Sequence, residues 1–139
     1  MALIAHMLLG SLHIKPSPGK GKGIFTTEPI EAGTLVEIAP VIVLPEKDCE
    51  LIDKSFLYNY YFLWGDRHKN YAICLGYGSI YNHSYSPNCI YETYYEDELI
   101  HFIAIRDIAA GEELTVNYNH DPTDQKPVWF DEDPYRHLA

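Results

Sequence analysis

Proline and glycine crowd the first quarter of this chain, and the apolar residues between the breaks come in short runs rather than at helical spacing. In Pro16-Ser17-Pro18-Gly19-Lys20-Gly21-Lys22-Gly23, the density of both residues predicts a loop rather than a regular element. On either side, Leu8 to Ile14 and Ile24 to Thr27 read as short strands, and Glu31-Ala32-Gly33 as a turn. Leu35 to Leu44 is a longer β-branched run in which Pro40 predicts an edge or a bend. Pro45 followed by Glu46-Lys47-Asp48 reads as a helix opening, with acids near the positive end of the dipole. That helix is expected to run toward Trp64 with Leu51, Ile52, Phe56, Tyr60 and Leu63 on its buried face. Gly65-Asp66-Arg67-His68 would end it. Strands return at Tyr71 to Leu75, Cys89 to Tyr95 and Leu99 to Ile105. Ala109-Ala110-Gly111-Glu112 then turns the chain into Leu114 to Tyr118, and the Asp-, Pro- and aromatic-rich tail reads as ordered coil or a short helix. The fold class is therefore mainly β with one principal helix.

With 139 residues the chain suits one domain with a real core and is too short for two. Its 47% hydrophobic and 22% charged residues are those of a globular protein. The three cysteines, Cys49, Cys74 and Cys89, are widely spaced, and the seven histidines follow no ligand spacing, so the sequence argues for no metal. Free thiols point to a reducing compartment, cytoplasmic or nuclear in type, and against secretion. Met1 to Leu9 is apolar, yet it lacks a positive start, contains His6, and is far too short to span a bilayer. It reads as a first strand with its lead-in and argues against a membrane role; it would suit a dimer contact or a buried edge equally well, so the oligomeric state stays open.

Charge is uneven. Residues 1–25 carry three lysines and no acids, whereas residues 91–139 carry twelve acids and three bases, within a net charge of −10. A field of that sign repels nucleic acid and steers basic partners inward.

Two further segments carry chemistry: Tyr81-Asn82-His83-Ser84-Tyr85-Ser86-Pro87-Asn88-Cys89, and Gly111-Glu112-Glu113-Leu114-Thr115-Val116-Asn117-Tyr118. Together with Gly21-Lys22-Gly23-Ile24-Phe25, and in this order, they resemble the signatures of the SET-domain protein lysine methyltransferases. The resemblance covers about residues 12 to 118. It implies a single SET domain over 1–139, a SET-domain β-fold with a C-terminal pseudoknot, and a flap over residues 119–139 completing the cofactor and lysine channel.

The activity so implied is methyl transfer from S-adenosylmethionine to a lysine side chain of a protein. A glycine-rich turn lets backbone approach such a ligand closely, and exposed N–H groups can take its carboxylate. Lys20 and Lys22 add positive charge beside Gly23. The resemblance implies that the Asn82 side chain and the backbone around His83 hold the cofactor's amino group and adenine, and that the pseudoknot brings both to Tyr118. Tyr118 is the candidate catalytic residue. With an ordinary tyrosine pKa near 10 it is a poor base at neutral pH, so its expected role is positioning the amine.

Tyr91 matches a tyrosine that lines the lysine pocket in members that tend to add a single methyl group. Val116 stands where other members place an aromatic that sets the methyl count. Trp129, in Pro127-Val128-Trp129-Phe130, lies where certain members place an aromatic over the cofactor. Departures are Val116-Asn117-Tyr118 in place of the more usual Phe-Asp-Tyr, and the absence of cysteine-rich flanks. The expected partner is a basic, lysine-containing protein such as a histone-like or ribosomal tail. The rival class is a catalytically silent SET-like module that binds a protein. A hydrolase using Ser84, His83 or a cysteine would need an elbow or oxyanion signature that the sequence lacks.

Overall fold

A computed structural model describes residues 6–132 of the chain. Among the described residues, ten strands alternate with short helical turns. In order they are β1 (Met7–Leu8), β2 (Leu12–Ser17), β3 (Gly21–Thr26), β4 (Leu35–Leu44), β5 (Tyr61–Trp64), β6 (Asn70–Cys74), β7 (Asn82–His83), β8 (Cys89–Tyr94), β9 (Leu99–Ala104) and β10 (Glu113–Val116). The helices are α1 (Cys49–Asp53) and α2 (Trp129–Glu132). One sheet runs β5-β6-β4-β9-β8 with β1 also on β4, and the other runs β2-β3-β10-β7. Ile24, Val36, Ala39, Ala72, Ile100, Phe102 and Leu114 form the heart of a shared apolar core. No helix among the described residues is long and apolar enough to cross a membrane.

The proline-glycine stretch departs from the expected loop. It folds into the β2–β3 hairpin, with Pro16 opposite Lys22 and Ser17 opposite Gly21. β2 is an edge strand, which can carry a proline because one side of its ladder is unused. Only the tip turns freely, where Gly19 and Gly21 both take φ of 75°. Pro40 sits where β4 changes partners, β1 pairing at Glu37 and Ile38 and β6 from Val41 onward. Its missing N–H falls in the gap between those ladders.

The principal helix is also corrected. Between Pro45 and Trp64 the chain makes a 3₁₀ turn (Glu46–Asp48), the single turn of α1, another 3₁₀ turn (Phe56–Asn59) and then β5. Ser55 ends α1, its hydroxyl donating to the Ile52 carbonyl at 2.8 Å and accepting from the Leu57 N–H at 3.2 Å. Beyond it, Tyr61-Phe62-Leu63-Trp64 pairs with β6, Trp64 opposite Asn70 across a turn in which Gly65 takes φ of 89°. Aromatic residues suit a half-buried pleated surface, so pairing with β6 overrides the helical reading. Leu51 and Phe56, expected on a buried face, are exposed. Residues 1–5 of the apolar N-terminal run and 133–139 of the tail lie outside the described residues.

Gly78 tests how tightly this frame is packed. A Cβ there would fall 2.0 Å from the Cys74 Sγ, whereas one at Gly10 would meet nothing within 4 Å. Gly78→Ala is expected to destabilise the fold by about 1–3 kcal/mol, and Gly10→Ala by no more than about 0.5 kcal/mol. Urea denaturation of both variants measures the contrast; equal midpoints would contradict the packing.

Candidate active site

The two motif segments meet because β10 lies between β3 and β7, antiparallel to the first and parallel to the second. Thr115 stands opposite Asn82 and Val116 opposite His83. Buried Asn88 ties the following segment to the same strand. Its amide donates to the Glu113 carbonyl at 2.7 Å and to Glu112 Oε2 at 3.0 Å, and its Oδ1 accepts from the Thr115 N–H at 2.8 Å. Arg106 holds Glu112 from the far side at 3.1 Å. One side chain thus ties the segment after β7 to the backbone of β10, the two segments that a pseudoknot is expected to join.

Around β10 the flanking hairpin and β7 build a polar cradle. Asn82 donates both amide hydrogens to acceptors, the Lys22 carbonyl at 2.9 Å and Glu113 Oε2 at 2.7 Å. These partners fix the amide's orientation and leave Oδ1 as the group it can offer to a cation. Glu113 is itself held by the Ser17 hydroxyl at 2.8 Å. Gly23 is required here, since a Cβ would fall 2.5 Å from Glu113 Oε2 and 3.0 Å from Asn82 Nδ2. Lys20 Nζ reaches the His83 carbonyl at 3.2 Å. The Lys22 side chain is exposed beside it.

Just past the end of β10 lies Tyr118. Its N–H donates to His83 Nδ1 at 3.0 Å, and its hydroxyl donates to the Tyr81 carbonyl at 2.8 Å. Burial raises the hydroxyl's pKa above its ordinary value of 10, with Tyr60, Glu113 and Tyr91 adding to the effect. Tyr118 is therefore a neutral donor at physiological pH. Its ring stacks on Trp129, centroids 5.4 Å apart and planes 8° apart. Trp129 in turn donates to Asn59 Oδ1 at 3.1 Å and meets Tyr58 edge-on.

A cavity of about 600 Å³ opens at this point, lined by Tyr58, Tyr60, Tyr61, Tyr91, Tyr118 and Trp129 among others. Tyr91 is buried in its wall, packed edge-on against Phe62 and His120, and burial pushes its hydroxyl up to about 12. Two residues of the wall, His68 and His120, have positive φ of 52° and 76°. Non-glycine residues in that region concentrate at functional sites.

The structure thus brings Lys20, Gly23, Asn82, His83, Tyr91, Tyr118 and Trp129 around one strand pairing, with the Lys22 carbonyl joining through its backbone. Val116 stays out of the wall: it is buried in the core cluster and does not line the cavity. Glu113, Ser17 and Tyr81 were not legible as site residues. Glu113 had a signal, being an acid within the motif whose side chain needs a partner once buried. Ser17 had none, because its role depends on a pairing 96 residues away.

His83 supplies a pH test. Burial lowers its pKa from 6.5 to about 4, opposed by Asp131 and aided by Lys20. Its Nε2 is buried with no partner among the described residues. The folded state therefore refuses a proton that the unfolded chain accepts. The stability from neutral His83 is present above about pH 6.5 and is lost as pH falls toward 4. Solvent screening limits it to at most about 2 kcal/mol. His83→Gln keeps an acceptor for Tyr118 without titrating, so wild type should lose stability relative to this variant across that window. Parallel stability curves would contradict the assignment.

The SET domain family matches residues 21–119. A histone-lysine N-methyltransferase specific for H3 lysine-37, from Schizosaccharomyces pombe, is 30% identical over 123 residues, covering 88% of this chain and 78% of that protein. A crystal structure of a candidate histone methyltransferase from Plasmodium falciparum superposes with a TM-score of 0.63 at 25% identity, over 80% of this chain and 95% of that one. The chain belongs to the SET-domain family and is an enzyme of the protein-lysine N-methyltransferase class.

Proposed function

We propose that the chain transfers a methyl group from S-adenosylmethionine to the ε-amine of a lysine in a basic, histone-like protein tail. The observation that carries this reading is that Tyr118, which lines a tyrosine-rich cavity, is hydrogen-bonded to His83 and to Tyr81, the two neighbours of Asn82 in the chain. The residues present fit the cofactor. Asn82 Oδ1 is left to accept from an α-amino group, Gly23 gives close backbone approach, and Lys20 brings positive charge to the His83 carbonyl. Lys20, Lys22, Gly23, Asn82 and His83 would hold it, with Trp129 and Tyr118 on the cavity side. S-adenosylmethionine, when bound, supplies an electrophilic methyl carried on a sulfonium.

The chain's own contribution is to orient and desolvate the amine. Because the Tyr118 hydrogen is committed to the Tyr81 carbonyl, the hydroxyl oxygen can only accept from a second group. An amine that donates to it has its lone pair directed away from Tyr118. The raised pKa keeps Tyr118 protonated, so it acts as an orienting dipole and not as a base. Tyrosine ring faces suit the methylene stem of lysine, and their hydroxyls suit its head.

A net charge of −10 favours a basic substrate over nucleic acid. β5 is an edge strand, pairing only with β6 among the described strands, and Leu63 within it and Tyr60 just before it are exposed. An extended peptide can add to such an edge. The S. pombe relative, specific for histone H3, supports a histone-like tail as the substrate to try first. It also supports a nuclear or cytoplasmic setting, in keeping with three free cysteines.

Calorimetric titration with S-adenosylmethionine tests the cofactor site. Wild type should saturate, and Asn82→Ala should weaken binding about tenfold or more, the loss expected of a hydrogen bond to a charged group. A radiolabelled transfer assay on histones then tests Tyr118→Phe, which should cut kcat at least about a hundredfold. Binding without transfer to any basic protein would instead favour a silent SET-like binding module.

Methyl count is a separate expectation. Wild type should release monomethyl-lysine, and Tyr91→Phe should add dimethyl product by freeing space beside the amine. Mass spectrometry of a histone tail reads both, and trimethyl product from wild type would sink the assignment.

A further inference from the structure

Glu37 is an acid with no place in the chemistry above, yet it is wholly buried. It follows a bulge in β4, where the register against β9 slips between Leu35 and Glu37. Bulges re-aim the side chains beside them. This one leaves Glu37 opposite Phe102, and the Tyr81 ring stacks on Phe102 with centroids 4.3 Å apart. The carboxylate takes two hydrogen bonds. Oε1 accepts from the Tyr81 hydroxyl at 2.7 Å, and Oε2 accepts from the Tyr77 N–H at 2.9 Å. Gly76 makes room for it, since a Cβ there would fall 2.5 Å from Oε2.

Tyr81 is the residue whose carbonyl accepts the Tyr118 hydroxyl, and it leads directly into Asn82 and His83. Its ring is therefore clamped at the tip by Glu37 and on its face by Phe102, while its backbone presents the acceptor that aims Tyr118. We propose that Glu37 is a positioning residue, which holds the Tyr118 hydroxyl in line by fixing Tyr81 through its phenol. A misplacement of about 1 Å at a reacting centre can cost up to a hundredfold in rate, so the tie reaches chemistry without touching substrate. This inference rests on the methyl-transfer reading.

The test compares wild type, Glu37→Gln, Tyr81→Phe and the double variant in radiolabelled methyl transfer to histones, with thermal melting of each. Glu37→Gln keeps the side chain's size but sets an amide against one of the two donors; Tyr81→Phe leaves the carboxylate and removes only the tie. Each folded single variant should lose kcat about tenfold, with KM for cofactor and for histone unchanged within about twofold. The double variant should be no slower than the slower single. Unchanged kcat in Tyr81→Phe, a loss confined to KM, or multiplied losses in the double variant would each overturn the inference. Tyr81→Phe alone decides if Glu37→Gln fails to fold. A wild-type protein that transfers no methyl would defeat the methyl-transfer reading instead.

Discussion

Two backbone groups of β10, the Thr115 N–H and the Glu113 carbonyl, find their partners in the single side chain of Asn88. A short parallel pairing such as β7 with β10 is weak alone, and an unpaired buried backbone group is costly. Asn88 answers both by acting as a surrogate strand where the ladder runs out. The proposed site is arranged around the strand that this tie supports. The tie sets Thr115 against Asn82 and Val116 against His83, which puts the Tyr118 N–H on the His83 ring and the Tyr118 hydroxyl on the Tyr81 carbonyl. Without it, the cradle built by the hairpin and the cavity built by the tyrosines would be two unrelated surfaces.

The cradle and the cavity differ in how they are held. On the cradle side, charge and hydrogen bonds dominate: Ser17, Glu113 and Asn82 form a chain of donors and acceptors in which each fixes the next. On the cavity side, aromatic contacts dominate, with Trp129 on Tyr118, Phe62 on Tyr91 and Tyr81 on Phe102. A polar network gives direction and a packed aromatic wall excludes water. The proposed reaction, with a charged ligand on one side and an amine that must lose its hydration on the other, calls for both.

Much of this was legible in the sequence wherever local chemistry and tertiary structure agree. The glycine turns at Gly33 and Gly111 occur where expected, both at positive φ, and strands 8 to 10 lie close to their predicted limits. The motif residues Asn82, His83 and Tyr118 converge. The helix after Pro45 is shorter than its residues predict because the segment after Ser55 carries aromatics that serve a strand as well as a helix face, and β6 is there to pair with it. The proline-rich hairpin was missed because edge position, which makes Pro16 harmless, is a property of the sheet and not of the residue. Glu37 and Ser17 were invisible for the same reason. Their value lies in partners 44 and 96 residues away, and nothing in the local pattern announces them.

The span of those bonds has a thermodynamic corollary. Ser17 to Glu113, Asn82 to Glu113 and Tyr81 to Glu37 join segments that lie far apart in the sequence. Each of these bonds closes a loop of at least 31 residues, so the cradle forms only as distant segments come together. A ligand of this cradle therefore senses the native state as a whole, and by linkage its binding energy is added to global stability rather than to a local element. Occupancy and foldedness become one equilibrium, so a cell rich in the ligand would hold more of the chain in its working form.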